Sequence, residues 1–213
     1  MSEENIPEIP QETLNIWKNG FNDPSKVLWL KSVSDDDEKK SRNSITYLNA
    51  YLTTRKDKKD PRVKRNENGV FFCLQLNPKH HESIKRAKPG HIILISQNLF
   101  KDQTSSGKDK TERRFTHLVT PIDDKFVFNP YPKSDPDGWP GRWVKVIAMG
   151  SHNMIGSIPL DATDNPNKRR YPFGNSALYS INDYLNKGCS LSEFQDYIFN
   201  KFKYCLNDAK WGI

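Results

Sequence analysis

Residues 70–97 read VFFCLQLNPKHHESIKRAKPGHIILISQ, and this stretch decides the fold. VFFCLQL, residues 70–76, is a β-rich run bounded by Asn68-Gly69 and by Asn77-Pro78. PKHHESIKRA, residues 78–87, suits a short helix with Pro78 near its start. Pro89-Gly90 is then a turn that launches a second, buried strand through IILISQ. Upstream the texture is different: Ile45, Leu48 and Leu52 recur at spacings of three and four, which predicts an amphipathic helix over 41–54.

FTHLVTPI (115–122) and GRWVKVIAM (141–149) read as further strands, with Asp123-Asp124 as a hairpin turn candidate. NLFKDQTSSGKDKTERR, residues 98–114, is a polar excursion between strands, and MIGSIPL (154–160) is a candidate edge strand. Two helices close the chain. SALYSINDYLNKG (176–188) ends at Gly188; SLSEFQDYIFNKFKYCLND (190–208) opens with a Ser190–Glu193 capping box. In the latter, Leu191, Phe194, Ile198, Phe202 and Cys205 share one face. Near the start, PQETLNIWKNG (10–20) is a short helix with Leu14 and Trp17 on one side and Gly20 as its stop. Asp23 and Pro24 fit an N-cap and first helical position ahead of SKVLWLKSV, whose periodicity does not choose between helix and strand. The expected class is α+β: a small curved, mainly antiparallel sheet or open barrel with flanking helices.

The formal charge of +7 arises from 33 Lys and Arg against 26 Asp and Glu, a balance that attracts polyanions. Hydrophobic residues make up 35% and aromatics 11%, so the core must be built on rings. The three cysteines, Cys73, Cys189 and Cys205, lie in apolar patterns without CxxC spacing, which argues for buried thiols in a reducing compartment. The acidic MSEENIPEIP start does not resemble a signal peptide, and no run approaches the ~20 apolar residues of a membrane span. The expectation is a cytoplasmic protein without a membrane partner.

Few residues suggest catalysis. His80 and His81 are adjacent and point to different helix faces, so they make a poor metal pair. Pro136-Asp137 and Asp208-Ala209-Lys210 are too isolated to be a nuclease centre. There is no Gly-rich phosphate loop, and no metal or cofactor is expected. His117 is the titratable residue best placed for a barrel pocket; alternation puts it on one face with Phe115 and Val119. The strongest basic patch runs from Lys39 to Arg65, with ten Lys and Arg against Asp57 and Asp60. Its phosphate-contact candidates include Lys56, Lys58, Lys59, Arg62, Lys64 and Arg65; a solvated helix and loop would carry the same charges.

The order FFCLQLNPKHHESIKRAKPGHIILISQ, FTHLVTPIDD, RWVKVIAM resembles the PUA-like superfamily, in particular its EVE and YTH branches, over about residues 70–150. The launching turn is Pro89-Gly90, with His91 where an acidic residue is common. The expected layout is a PUA-like barrel over 27–160, an N-terminal extension at 1–26 and a helical segment at 161–213 packed on the barrel, with a basic helical insertion at 35–66 that is not part of the usual domain. The resemblance implies a reader of DNA or RNA that holds a modified or extruded base between aromatic walls. Trp139, Arg142 and Trp143 suit that role, at the end of a loop stiffened by Pro130, Pro132, Pro136 and Pro140. Ser96, Gln97 or His117 would reach the base edge. In the competing packing, Trp143 points into the core and Trp139 plugs a barrel end. The alternative functions are an enzyme acting on nucleic acid or nucleotide, and a basic protein-interaction module.

Overall fold

A computed structural model describes residues 7–33, 63–75, 81–100, 111–128, 140–149, 178–185 and 190–208. The helix expected at 41–54, the edge strand at 154–160 and most of the proline-rich loop lie outside the described residues. The described elements in chain order are α1 (Gln11–Lys18), a 3-10 turn (Pro24–Lys26), β1 (Val27–Val33), β2 (Lys64–Asn66), β3 (Gly69–Gln75) and α2 (His81–Ile84). There follow β4 (Ile92–Phe100), β5 (Thr111–Pro121), β6 (Gly141–Met149), β7 (Leu178–Ser180), α3 (Ile181–Tyr184) and α4 (Leu191–Asp208).

The strands form one open, mixed sheet in the order β2-β3-β6-β5-β4-β1-β7. Every described pairing is antiparallel except β1 with β4. The SKVLWLKSV ambiguity resolves as strand, because Val27–Val33 is paired on both sides, by β4 and by β7. Asp23 caps the turn before it by accepting from the Ser25 amide at 2.9 Å. The Ser25 hydroxyl, which donates to the same carboxylate at 2.6 Å, and the Ser25 amide hold the Asp23 carboxyl below its ordinary pKa.

Strand alternation divides the core between two faces. On β4, Ile92 and Leu94 join a cluster with Phe115, Leu118, Phe194, Ile198 and Phe202 beneath α4. Ile93 and Ile95 join the opposite cluster, with Phe72, Leu74, Val144, Ile84 and Ala87 under α2 and its following turn. β3 splits in the same way: Phe71 and Cys73 face α1 together with Trp143, Ile122 and Trp17. α1 and α4 therefore share one face, linked by Phe21, which packs against both clusters, and α2 lies on the other. α4 is fixed by its aromatic stripe and by Gln195, whose amide donates to the carbonyls of Val27 at 2.9 Å and Ser25 at 3.2 Å. At its start the Glu193 amide donates to the Ser190 hydroxyl, half of the expected capping box.

Three expectations change. Leu178–Ser180 is a strand on the edge of β1, and only Ile181–Tyr184 is helical, so the helix read over 176–188 is one turn. An open strand edge recruits these residues despite their helical spacing. The excursion at 98–114 is shorter than read, because β4 and β5 pair out to Phe100 and Thr111. Last, β5 does not alternate evenly. Ile95 pairs with His117 and Ser96 with Phe115, so Thr116 is an extra residue in a bulge. Phe115 consequently joins Leu118 beneath α4, while Val119 faces α2.

Gly141 marks the closest backbone approach. A Cβ there would stand 2.6 Å from Cys73 Sγ and 3.0 Å from the Leu74 carbonyl. Gly141→Ala should lower stability by about 1–3 kcal/mol in a urea melt. Adding Cys73→Ala should recover part of that loss, whereas additive losses would show that the sulfur is not the obstacle.

Candidate functional site

Arg142 is the most constrained polar residue of the described structure. It stands on β6 opposite Leu74, on the α2 face, and its side chain is fully buried. Its Nε donates to the Asp123 carbonyl at 2.6 Å, and Nη1 donates to the Ile84 carbonyl at 2.9 Å. Further bonds reach the carbonyls of Ala87 and Asp123, and Nη2 meets the Asp124 carboxylate at 2.8 Å. Burial pulls its pKa below the ordinary arginine value, against the pull of Asp124 and Asp123. Burial likewise raises the Asp123 carboxyl. The guanidinium thus caps the carbonyls at the end of α2 and pins the 123–124 bend to the sheet. Trp143 is buried on the opposite face against the α1 cluster.

These placements correct the aromatic-wall expectation. Arg142 spends its donors on backbone carbonyls and one carboxylate, leaving no exposed fork for phosphate, and Trp143 is core. The two side chains leave the sheet on opposite faces. Ser96 and His117 are also fully buried, and the bulge separates them: Ser96 pairs with Phe115 on the α4 face, while His117 shares the α2 face with Ile95 and touches Phe72 edge-on. Nδ1 of His117 bonds the Thr116 hydroxyl at 2.9 Å. Gln97 lies on β4, outside the residues whose side chains are described. Trp139, Lys56, Lys58, Lys59 and Arg62 lie outside the described residues. Lys64 and Arg65 are on the edge strand β2, Arg65 exposed and Lys64 half-buried. The proline-rich loop is closed at its base by a reciprocal pair of 2.9 Å bonds between Val127 and Gly141.

The exposed cation-aromatic cluster of the described structure lies elsewhere, where β1 begins and α2 ends. The Arg86 guanidinium stands 4.9 Å from the centroid of the Trp29 ring. The Trp29 indole donates to Nδ1 of His91 at 3.1 Å, and the two rings stack with centroids 6.4 Å apart. The Lys88 amide donates to the same Nδ1 at 3.2 Å. Lys26, Arg86 and Lys88 are all exposed around this pair. Next to it, Lys85 lies 5.6 Å above the Phe126 ring and pairs with Glu82 at 2.6 Å. Lys88 shares Asp124 with Arg142, at 3.5 Å. Phe128, 84% exposed, follows Phe126 at the mouth of the proline-rich loop. KRAKPGH was legible only as a helix end and turn; Trp29, 62 residues from His91, could not be joined to it without the parallel β1–β4 pairing.

Among the described residues, His, Cys, Asp and Glu do not gather into a group able to hold a metal ion. No helix among them is long and apolar enough to cross a membrane.

Two predictions follow from these contacts. Arg142→Met removes the donors of three buried carbonyls and should cost about 3–5 kcal/mol in a denaturant melt. Arg142→Lys should recover little, since one ammonium cannot span the fork. His91 accepts two N–H groups at Nδ1, so it is neutral in the fold. Burial first, then the charges of Lys26, Lys88 and Arg142, lower its pKa. The unfolded chain therefore takes up the proton first. The stabilising contribution of His91 is complete above about pH 6.5, the ordinary histidine value, and is lost as pH falls through the lower folded value. Melts from pH 8 to 5 on the protein and on His91→Gln should diverge least at the acid end.

No family model matches the chain, and it has no match among the curated proteins or the solved structures.

Proposed function

We propose that this protein binds nucleic acid, with phosphates held by the cations around Trp29 and His91. The carrying observation is the gathering of Lys26, Arg86 and Lys88, all exposed, about one indole and one imidazole. The Arg86 guanidinium is held 4.9 Å from the Trp29 ring centroid, and a guanidinium in a cation–π contact can still donate its N–H groups to an anion. The neighbouring acids are engaged: Glu82 by Lys85, Asp124 by Arg142 and Lys88, and Asp23 by the Ser25 amide and hydroxyl. The excess charge of the whole chain, +7, acts in the same direction over longer range. Recognition of a modified or extruded base extends this reading. With Arg142 and Trp143 committed to the interior, that extension rests on Trp139 and on the exposed ring of Phe128, since stacking needs a free π-face.

The test is a salt series of binding titrations with single-stranded and duplex DNA and RNA. Neutralising Lys26, Arg86 and Lys88 together to Gln should weaken binding to all sequences alike. The slope of log affinity against log salt should flatten by roughly 0.7–0.9 per lost contact. Trp139→Ala or Phe128→Ala should lower affinity for single strands by about 1–3 kcal/mol with the thermal melt unchanged. Turnover of the nucleic acid would favour the enzyme reading. Salt-independent or absent binding would favour the protein-interaction reading and remove this one.

A further inference from the structure

On the face covered by α1 lies a second cationic feature, built differently from the first. Lys64 on β2, Phe71 on β3 and Lys145 on β6 stand side by side in one row across the sheet. Direct cross-strand neighbours share a face, so two lysines flank the fully buried Phe71 on the α1 side. The Lys145 side chain is half-buried and reaches across β3. Its Nζ is 4.5 Å from the centroid of the Trp17 ring. It also passes over Gly69, where a Cβ would lie 3.2 Å from Cε and 3.7 Å from Nζ. Gly69 has φ of 125°, so both its backbone and its missing side chain make room for this ammonium.

Among the described residues, no acid is paired with the row, neither at Lys64 nor at Lys145. Desolvation lowers the Lys145 pKa, and no acid among the described residues opposes it. The Trp17 ring, tilted against Phe71 with centroids 6.2 Å apart, is 8% exposed, and its buried indole N–H has no hydrogen-bond acceptor among the described residues. A buried orphan donor is uncommon in folded proteins. Here it lies beside an ammonium that has a ring in place of a counter-ion. A charge-assisted hydrogen bond to an anionic oxygen outweighs the cation–π contact it would replace.

We propose that the Lys64–Phe71–Lys145 row is a binding site for a phosphate-class anion. The anion sits between the two ammonium groups. Lys145 leans off the Trp17 ring to meet it, and the orphan indole N–H at the edge of the same ring becomes the third donor. The residues are distinct from Lys26, Arg86 and Lys88, so the site stands or falls independently of the cluster around Trp29, although Lys64 is also among the phosphate-contact candidates of the sequence.

The decisive measurement is the Trp17 indole 1H–15N resonance of the full chain, assigned with Trp17→Phe. It is followed during titration with inorganic phosphate, pyrophosphate and a short single-stranded oligonucleotide. The expected result is a saturable shift that Lys145→Gln weakens at least tenfold in Kd and Lys64→Gln several-fold, while the Lys26, Arg86 and Lys88 substitutions leave it unchanged. Saturation by phosphate or pyrophosphate supports the site with a free anion as its ligand. Saturation by the oligonucleotide alone supports it with a nucleic-acid phosphate as the source. The absence of a saturable shift with all three, or an equal shift in both lysine variants, overturns the proposal.

Discussion

A single guanidinium joins the parts of this fold that the chain leaves far apart. Arg142 sits on β6, yet its bonds end on α2, on the turn after α2 and on the 123–124 bend. A helix as short as His81–Ile84 cannot hold itself together in water, since nucleation consumes most of what one turn returns. Its last carbonyls need donors, and Arg142 supplies them from the sheet. In return the charge is kept inside by a ring of oxygens, which makes a buried arginine tolerable. Asp124, exposed, supplies the paired counter-charge, Asp123 adds to it, and backbone carbonyls accept the remaining bonds.

The exposed cluster depends on that anchoring. Arg86, Lys88 and His91 are carried on the segment that Arg142 ties down, and Arg142 contributes to the field that lowers the His91 pKa. Trp29 arrives from the other side, on β1, because β1 runs parallel to β4 and sets Trp29 beside the start of that strand. The neutral imidazole accepts from both partners, Trp29 and the Lys88 amide, and so couples strand and turn through one nitrogen. Preorganisation of this kind matters for binding anions: cations already held in place lose less entropy than free lysines would.

The two faces of the sheet thus carry two different cationic arrangements. On the α2 side the charges are exposed and cluster at a strand end. On the α1 side they lie in a register row, half-buried, with an orphan indole N–H beneath. The first has the solvent exposure that long, flexible polyanions require. The second has the partial desolvation that strengthens contact with one small anionic group.

What the sequence determined by itself was the set of local elements. The apolar runs at 70–76, 92–97, 115–122 and 141–149 became β3, β4, β5 and β6, because strand formation there is set by β-branched and aromatic residues between turn signals. Leu191, Phe194, Ile198 and Phe202 marked the buried stripe of α4, Gly20 closed α1, and Asp23 capped the turn before β1, all effects within a few residues. Tertiary structure alone decided the rest. Whether 27–33 was strand or helix, and whether 178–180 was helix or strand, turned on which sheet edges stood open for pairing. The bulge at Thr116, invisible in a period-two pattern, moved Phe115 and His117 to opposite faces. Arg142 and Trp143 looked like a surface pair because they follow a polar, proline-rich loop, but burial is set by what packs above a strand. Here α2 covers one residue and α1 the other. The Trp29–His91 and Lys64–Lys145 associations could not be read from spacing, since each joins residues brought together only by strand pairing.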